Sequence, residues 1–389
     1  MDHDIIIIGA GPAGLSFARA LAATDLRIGL IERQSAAKLA DPAYDGREIA
    51  LTQRSIRLLR ELDAWQYLPP GELSPLRAAK VINGASALPL MFDTGQRREG
   101  ELGVLVSNHQ IRRALFESVS AQANVTLLDN QSAAAVEASA DGAKVTLASG
   151  EMIAARLLVG ADSRFSFVRD QLGIGAEMKR TGTAMLVCRV EHEQDHHQIA
   201  LEWFKNPETI AMLPLNGRSS SLVLTLPIPD AQRLAALDDA IASEEIARRL
   251  EHRYGAIRIV SSRHVYPLVM TWARRFAIPG AALIGDTAVG MHPVTAHGYN
   301  LGLASADRLA REIRKALAEK SDWSSQSVLE RYETGHRRTS RPIYAATNMI
   351  VGLYGDKRAA VMPLRHAGIR VARRLPFFRA AVRQMLLRA

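Results

Sequence analysis

The chain has 389 residues, 48% of them hydrophobic and 23% charged; it can bury a core, is not a disordered chain, and is long enough for two closely joined domains. One cysteine, Cys188, excludes a disulfide framework and any CxxC redox or metal pair. The net charge of +9 comes entirely from residues 357–389, which hold nine basic and no acidic residues, whereas residues 1–356 hold 40 of each; a nucleic-acid enzyme would also be basic around its groove.

Residues 4–8 (Asp-Ile-Ile-Ile-Ile) form an apolar, β-branched run ending at Gly9, the pattern of a buried parallel strand. A helix is expected over 12–23, with Leu15, Ala18 and Leu21 or Ala22 on one face, and a second strand over 26–32 ending in Glu32. This is a βαβ unit. Residues 156–160 and 281–285 repeat the pattern of an apolar strand running into Gly-x-Asp or Gly-Asp. Between them, 183–190, 199–204, 210–215 and 220–227 read as antiparallel strands, with Pro214, Pro227 and Pro229 at their ends. A nucleotide-binding sheet is thus expected from three separated pieces, with a β-rich domain inserted. After Gly298 the pattern is helical, with breaks near Pro342, Pro363 and Pro376.

Gly9-Ala10-Gly11-Pro12-Ala13-Gly14 follows the first strand and opens the helix, and Glu32 stands 18 residues past Gly14. Gly9 allows the tight turn, Gly11 lets the backbone approach a pyrophosphate, and Gly14 permits close helix packing. The helix N-terminus offers amides and a positive dipole to the phosphates. Glu32 is placed to accept both hydroxyls of an adenosine ribose. By itself this fingerprint does not separate FAD from NAD.

Two further segments do. Residues 159–169 read Val-Gly-Ala-Asp-Ser-Arg-Phe-Ser-Phe-Val-Arg, and 284–302 read Ile-Gly-Asp-Thr-Ala-Val-Gly-Met-His-Pro-Val-Thr-Ala-His-Gly-Tyr-Asn-Leu-Gly. With the fingerprint before them, they give the order GxGxxG, GAD, S, R, GD, HP, G, N along nearly the whole chain. Here the sequence resembles the single-component FAD-dependent aromatic monooxygenases of the para-hydroxybenzoate hydroxylase fold. Within that family it is similar to the ubiquinone-biosynthesis hydroxylases of the UbiH, UbiF, UbiI and UbiM type. Asp45-Gly46-Arg47-Glu48-Ile49-Ala50-Leu51-Thr52 and His292-Pro293-Val294-Thr295-Ala296-His297-Gly298 are closest to the UbiM form.

The resemblance implies an α/β protein. Residues 1–75, 100–180 and 270–356 would form a Rossmann-like FAD-binding domain, and 76–99 and 181–269 a β-rich substrate domain. Residues 357–389 would form basic amphipathic C-terminal helices. It implies FAD as cofactor, NADH or NADPH as electron donor and O2 as oxygen source, with a flavin C4a-hydroperoxide carrying the oxygen. Gly9, Gly11, Pro12, Ala13, Gly14, Glu32 and Arg33 would then hold the adenosine diphosphate half of FAD. Arg47 matches the family's arginine near the flavin, and Asn108 falls where another contacting side chain is expected. Gly285 and Asp286 would meet the ribitol chain, and Asp162, in its Gly-Ala-Asp segment, would serve both FAD and the nicotinamide. Gly298, Tyr299 and Asn300 open the next helix, whose amides suit the anionic end of the flavin. Pro293 and His297 lie where the family places substrate against flavin.

Ser163 stands where the family usually has glycine; a loop that never needs positive φ is the simpler reading. Thr295-Ala296-His297-Gly298 replaces the more usual Gly-Gln-Gly run. His297 can take a proton from a phenolic substrate, although packing or hydrogen bonding beside the flavin without titration is the favoured reading. His196-His197, near Glu191, Glu193 and Asp195, reads as a solvated hairpin end rather than a metal site, and no metal is expected. Cys188 reads as a core residue.

In the tail, Leu364, Ala367, Val371 and Leu375 fall on one helical face opposite Arg370, Arg373 and Arg374. This reads as a membrane-surface element, the alternative being a helix packed on the protein's own body. No run of about 18 apolar residues is present to span a membrane, and no secretory signal is seen. The expected enzyme is cytoplasmic, peripheral on the inner membrane. It would hydroxylate a polyprenylated phenol or quinol, such as 5-demethoxyubiquinol, within a ubiquinone-biosynthesis complex. A hydroxylase of soluble aromatics and an isoprenoid-reducing flavoprotein without oxygen chemistry are the rival readings.

Overall fold

The computed structural model describes residues 1–84, 89–93, 100–205 and 208–355; the basic tail and the breaks expected at Pro363 and Pro376 lie outside the described residues. Ile5–Ile8 forms a strand with all four residues buried, as a parallel strand covered on both faces requires. Ile28–Ile31 pairs with it on one side and Leu157–Gly160 on the other, both parallel. Ala281–Leu283 extends the sheet past Leu157–Gly160, and Ala277–Ile278 closes that edge antiparallel. The three expected pieces therefore meet in one sheet. A fourth, Val125–Leu128, joins beyond Ile28–Ile31; none of its four residues is fully buried, as befits the edge of the sheet, and its short Val-Thr-Leu-Leu run has no glycine motif after it to mark it.

In this parallel arrangement the strands' carboxyl ends share one edge, where ligands sit in open α/β sheets. Gly9, Glu32, Ala161 and Gly285 follow those ends directly. Pro12–Ala20 is the fingerprint helix, and it packs against Gly298–Ala318 and Asn108–Ser120. It stops short of the expected residue 23 because Thr24 Oγ1 donates to the Leu21 carbonyl and ends the ladder in a turn.

A larger, mostly antiparallel sheet takes the strands in the order Val289–Gly290, His264–Ala273, Ala176–His192, Ser219–Pro227, Glu208–Pro214, Ile199–Lys205, Ala78–Asn83, Leu90–Phe92. Two of these strands end at Pro214 and Pro227, as expected. The central strand is much longer than 183–190, because Ala176–Arg180 pairs with Val269–Ala273; its exposed Glu-Met-Lys-Arg sequence shows no alternation that would reveal this. One face of the sheet carries Leu186, Cys188, Trp203, Ile210 and Leu224 in a buried cluster. Two helices contribute to that cluster, Ile228–Ala236 and Asp239–Arg249, so the inserted stretch is not purely β. The opposite face carries the row His264, Val187, Val223, Ala211, Glu202, Val81 and, beside it, Tyr266, Met185, Thr225, Thr209, Phe204.

The break expected at Pro342 does not occur. Gln326–Gly355 is one helix with Pro342 inside it. Pro342 lies on the exposed side, where water can satisfy the freed carbonyl, while Ser340, Ile343 and Tyr344 are buried and hold both flanks in place.

Candidate cofactor and substrate site

The fingerprint glycines do three separate jobs. Gly9 has φ +108, and a Cβ there would lie 2.5 Å from the Ala161 carbonyl oxygen. A Cβ on Gly14 would lie 2.0 Å from the Gly9 carbonyl oxygen, so the helix rests directly on the turn. At Gly11 a Cβ would meet nothing within 4 Å. Gly11 is also the N-cap, no side chain caps the helix, and Pro12 fills its first turn. The open space in front of uncapped amides is the cradle a pyrophosphate needs. Glu32 Oε2 accepts from the Ala10 amide at 2.8 Å and Oε1 from the Gln34 amide at 2.9 Å. The carboxylate is thus held in place with lone pairs to spare for a ribose. Arg33 is exposed. Ala13 packs under the second glycine motif, since a Cβ on Gly285 would lie 2.8 Å from its own Cβ.

Asp162 braces its own segment. Its Oδ1 accepts from Ser166 Oγ at 2.6 Å and Thr287 Oγ1 at 3.1 Å, and its Oδ2 from the Val168 amide at 3.2 Å. The carboxylate therefore ties the Gly-Ala-Asp segment to the Gly-Asp segment. Arg169, 1% exposed, completes the knot by donating from one Nη1 to the carbonyls of Arg164 and Thr287. Ser163 has no positive φ, so no glycine is required. Its hydroxyl accepts from the Phe165 amide, a local turn that glycine could not make.

Arg47 is fixed by Asp45, whose Oδ2 accepts from Nη2 at 2.6 Å and Nε at 3.2 Å, and it lies over the Tyr266 ring at 5.5 Å. Asn108 supports the same acid, donating to Asp45 Oδ2 at 2.7 Å. Burial by itself would raise the Asp45 carboxyl, but the bonds from Arg47 and Asn108 outweigh it and hold it below the usual carboxylate range. Gly46, at φ +75, is squeezed against the large sheet: a Cβ there would meet Val187 and His264 within 3 Å. Next to it, Glu48 bonds Arg189 at 2.8 Å, yet burial pushes its carboxyl up to about 7.

Asp286 accepts from Arg164 Nη2 at 2.7 Å, with both side chains about one-third exposed. His292 accepts from the Val294 amide, and burial with Arg164 nearby lowers it to about 4. Pro293 opens the short turn Pro293–Thr295, which ends at Ala296 with φ +54. A non-glycine residue in the left-handed region stores about 1 kcal/mol or more, and it stands where the resemblance departs from its usual Gly-Gln-Gly. His297 is 1% exposed, with Nδ1 bonded to the Thr295 carbonyl. Burial raises the Tyr299 hydroxyl. Gly298 faces open space. Asn300 is a pin: its Oδ1 accepts from the Thr52 amide, and its Nδ2 donates to the carbonyls of Ala50 and Ala296.

The expected residues thus gather along one edge, with their labour redistributed. Gly11 and Gly298 face open space, Glu32, Arg47 and Asp286 are partly exposed, and Asp162, Asn108 and Asn300 brace the frame. The sequence reading left out Asp45, Arg164, Arg169 and Thr287. Asp45 and Arg164 stand within the quoted motifs, but their roles depend on partners up to 122 residues away. Elsewhere, both ring nitrogens of His196 are engaged, by the Leu215 carbonyl and the Gln198 amide. Cys188 is fully buried, and burial pushes its thiol up to about 12.

The family described as FAD binding domain matches residues 2–347. The chain is 42% identical over 390 residues to the ubiquinone hydroxylase UbiM of Neisseria meningitidis, covering 99% of this chain and 85% of that one. It is 33% identical to the ubiquinone hydroxylase UbiL of Rhodospirillum rubrum, covering 96% and 86%. Among solved structures it is similar to Pseudomonas aeruginosa PqsL in complex with 2-aminobenzoylacetate, with a TM-score of 0.78 at 20% identity over 95% of this chain and 99% of that one. The parallel sheet with its glycine cradle, the large sheet set against it and these relatives agree: the chain belongs to the family of FAD-dependent monooxygenases that contains the ubiquinone hydroxylases.

Proposed function

We propose that the protein hydroxylates the aromatic ring of a polyprenylated phenol or quinol of ubiquinone biosynthesis, using FAD, NADH or NADPH, and O2. The observation that supports this reading is the Gly46 turn, which carries Asp45 and Arg47, packed against Val187 and His264 of the large sheet, in a chain whose ubiquinone-hydroxylase relatives match it almost end to end. Bound FAD supplies the redox chemistry and the oxygen transfer. The chain's own residues bind and orient it: the Gly11 cradle takes the pyrophosphate, Glu32 the ribose, and the Asp45-braced Arg47 and the Arg164–Asp286 pair the flavin half. Buried His292 and His297 close the loop against water, which the chemistry must exclude. Residues 1–75, 100–180 and 270–356 form the cofactor domain in this reading, and 76–99 and 181–269 the substrate domain. Labelling separates it from an isoprenoid reductase. With 18O2 the product hydroxyl should carry label, and with H2 18O it should not; conversion of an isoprenoid substrate equally well without oxygen would overturn the reading.

The tail supports peripheral docking on the cytoplasmic face of the inner membrane. No helix among the described residues is long and apolar enough to cross a membrane. Extracting a polyprenyl chain into water costs about 0.8 kcal/mol per CH2, whereas docking lets the head group rise into the site. Each tail cation that reaches an anionic surface contributes about 1 kcal/mol. Co-sedimentation with anionic liposomes should fall with salt and be lost when Arg370, Arg373, Arg374, Arg379 and Arg383 are all changed to Gln. Binding that ignores lipid charge would show the tail to be a structural element.

A further inference from the structure

We infer that Glu202 contacts the substrate and holds a ring hydroxyl of the aromatic compound; this rests on the hydroxylase reading above. Glu202 lies on the strand Ile199–Lys205, on the sheet face turned away from the buried cluster of Trp203 and Ile210. Its direct cross-strand neighbours are Val81 and Ala211, so it is a lone carboxyl in an apolar row. Among the described residues it has no hydrogen bond and no ion pair, while Glu191 of that face is bonded to Arg258 and Glu177 of that face is exposed to water.

The surroundings link it to the cofactor edge. Two residues before it, Ala200 packs in a small cluster with Leu76, Leu102 and Ala50, and Ala50 is the residue whose carbonyl Asn300 pins. Two residues after it, Phe204 stacks on Tyr354 with ring centroids 4.0 Å apart. Tyr354 lies on the helix Gln326–Gly355, seven residues from Thr347, whose hydroxyl meets Thr295 at 3.1 Å. Seven residues are two helical turns on one face, or about 10 Å. The strand is therefore linked to the loop Pro293–Asn300 on both sides of Glu202, through Ala50 on one and through that helix on the other. Between these links Glu202, Val223, Thr209 and Thr225 are left only half-buried, so this part of the face is not sealed by the chain's own packing among the described residues.

The physics of the carboxyl agrees. Burial pushes it up to about 8, with no charged partner to offset it. The other titratable groups of this face among the described residues stand elsewhere: Tyr354 against Phe204, and Glu177, Lys179, Arg189, Glu191, His264 and Tyr266 on the two strands at the far side of the sheet. Below that value the neutral carboxyl can accept a phenol proton and donate one; above it the carboxylate accepts more strongly. An unpaired desolvated carboxyl costs stability, and among the described residues no hydrogen bond or ion pair offsets that cost. A substrate hydroxyl would.

The test uses the FAD-loaded full chain and two probes, a 2-prenylphenol and its O-methyl ether, titrated by their perturbation of the flavin absorption spectrum. The wild type should prefer the phenol by about tenfold, the worth of one hydrogen bond, and the preference should grow as pH rises through 8. Glu202→Leu should bind both probes alike and melt no lower than the wild type. Glu202→Gln should keep a preference that no longer changes with pH, and it decides the matter if the leucine variant loses FAD. An undiminished, pH-dependent preference in both variants overturns the inference and leaves the hydroxylase reading standing. A wild type that holds FAD but responds to neither probe overturns both.

Discussion

Gly11→Ala should give a soluble, folded protein that purifies without flavin, whereas Gly14→Ala should fail to accumulate as folded protein. The two residues are three apart in one motif, yet their added methyl groups meet different things. At Gly14 the Cβ would stand 2.0 Å from a backbone oxygen of Gly9, a distance no side-chain rotation can relieve. The helix Pro12–Ala20 would have to lift off the central strand, opening the core around Leu15 and Phe17, both no more than 1% exposed; overpacking of this kind costs about 1–3 kcal/mol or more. At Gly11 the Cβ enters space the chain leaves empty, so folding is untouched and only the pyrophosphate is displaced. Thermal melting and the flavin absorbance of the purified variants measure both outcomes. Wild-type FAD content in Gly11→Ala would move the cofactor away from this turn.

Arg169→Leu should lower stability by about 2–4 kcal/mol, the cost of leaving one buried and one part-buried carbonyl without their charged donor, and should weaken FAD binding at the same time. The coupling arises because Arg169 bonds the carbonyls of Arg164 and Thr287, which flank the Arg164–Asp286 pair at the cofactor edge. Arg169→Lys should recover only part of the loss, since an ammonium is a point charge without the planar fork. Urea unfolding and FAD titration read the two effects separately. A change below about 0.5 kcal/mol in both variants would mean that the knot around Asp162 holds without the guanidinium.

Local chemistry carried most of the fold into the sequence. Four consecutive isoleucines can only be a strand covered on both faces. The glycine spacing after them can only be a tight turn into a helix, and the repeated apolar run into Gly-x-Asp marks the sites where separated pieces rejoin. The alternation within 199–227 gave away the inserted strands because one face is buried and the other is not. Where the signal is nonlocal, the sequence is silent. Ala176–Arg180 becomes strand only because Val269–Ala273 lies alongside, the short Val125–Leu128 run has no glycine motif after it, and Pro342 stays in its helix because buried neighbours hold both sides.

The same division separates the parts of the site. Gly11, Gly14 and Glu32 have their neighbours within one βαβ unit, so their spacing already marks the turn, the close helix packing and the acid at the strand end. The bonds that hold Asp162, Asn108 and Asn300 run to partners far along the chain, and only the folded structure shows them as braces of the site. Glu202 is the extreme case: in the sequence it is one acid in a strand beside Trp203. Its isolation on an apolar face, and the links from its strand to the loop Pro293–Asn300, exist only once strands 78–83, 199–205 and 208–214 are paired. Propensity and pattern are properties of neighbours in sequence; desolvation and orientation are set by neighbours in space.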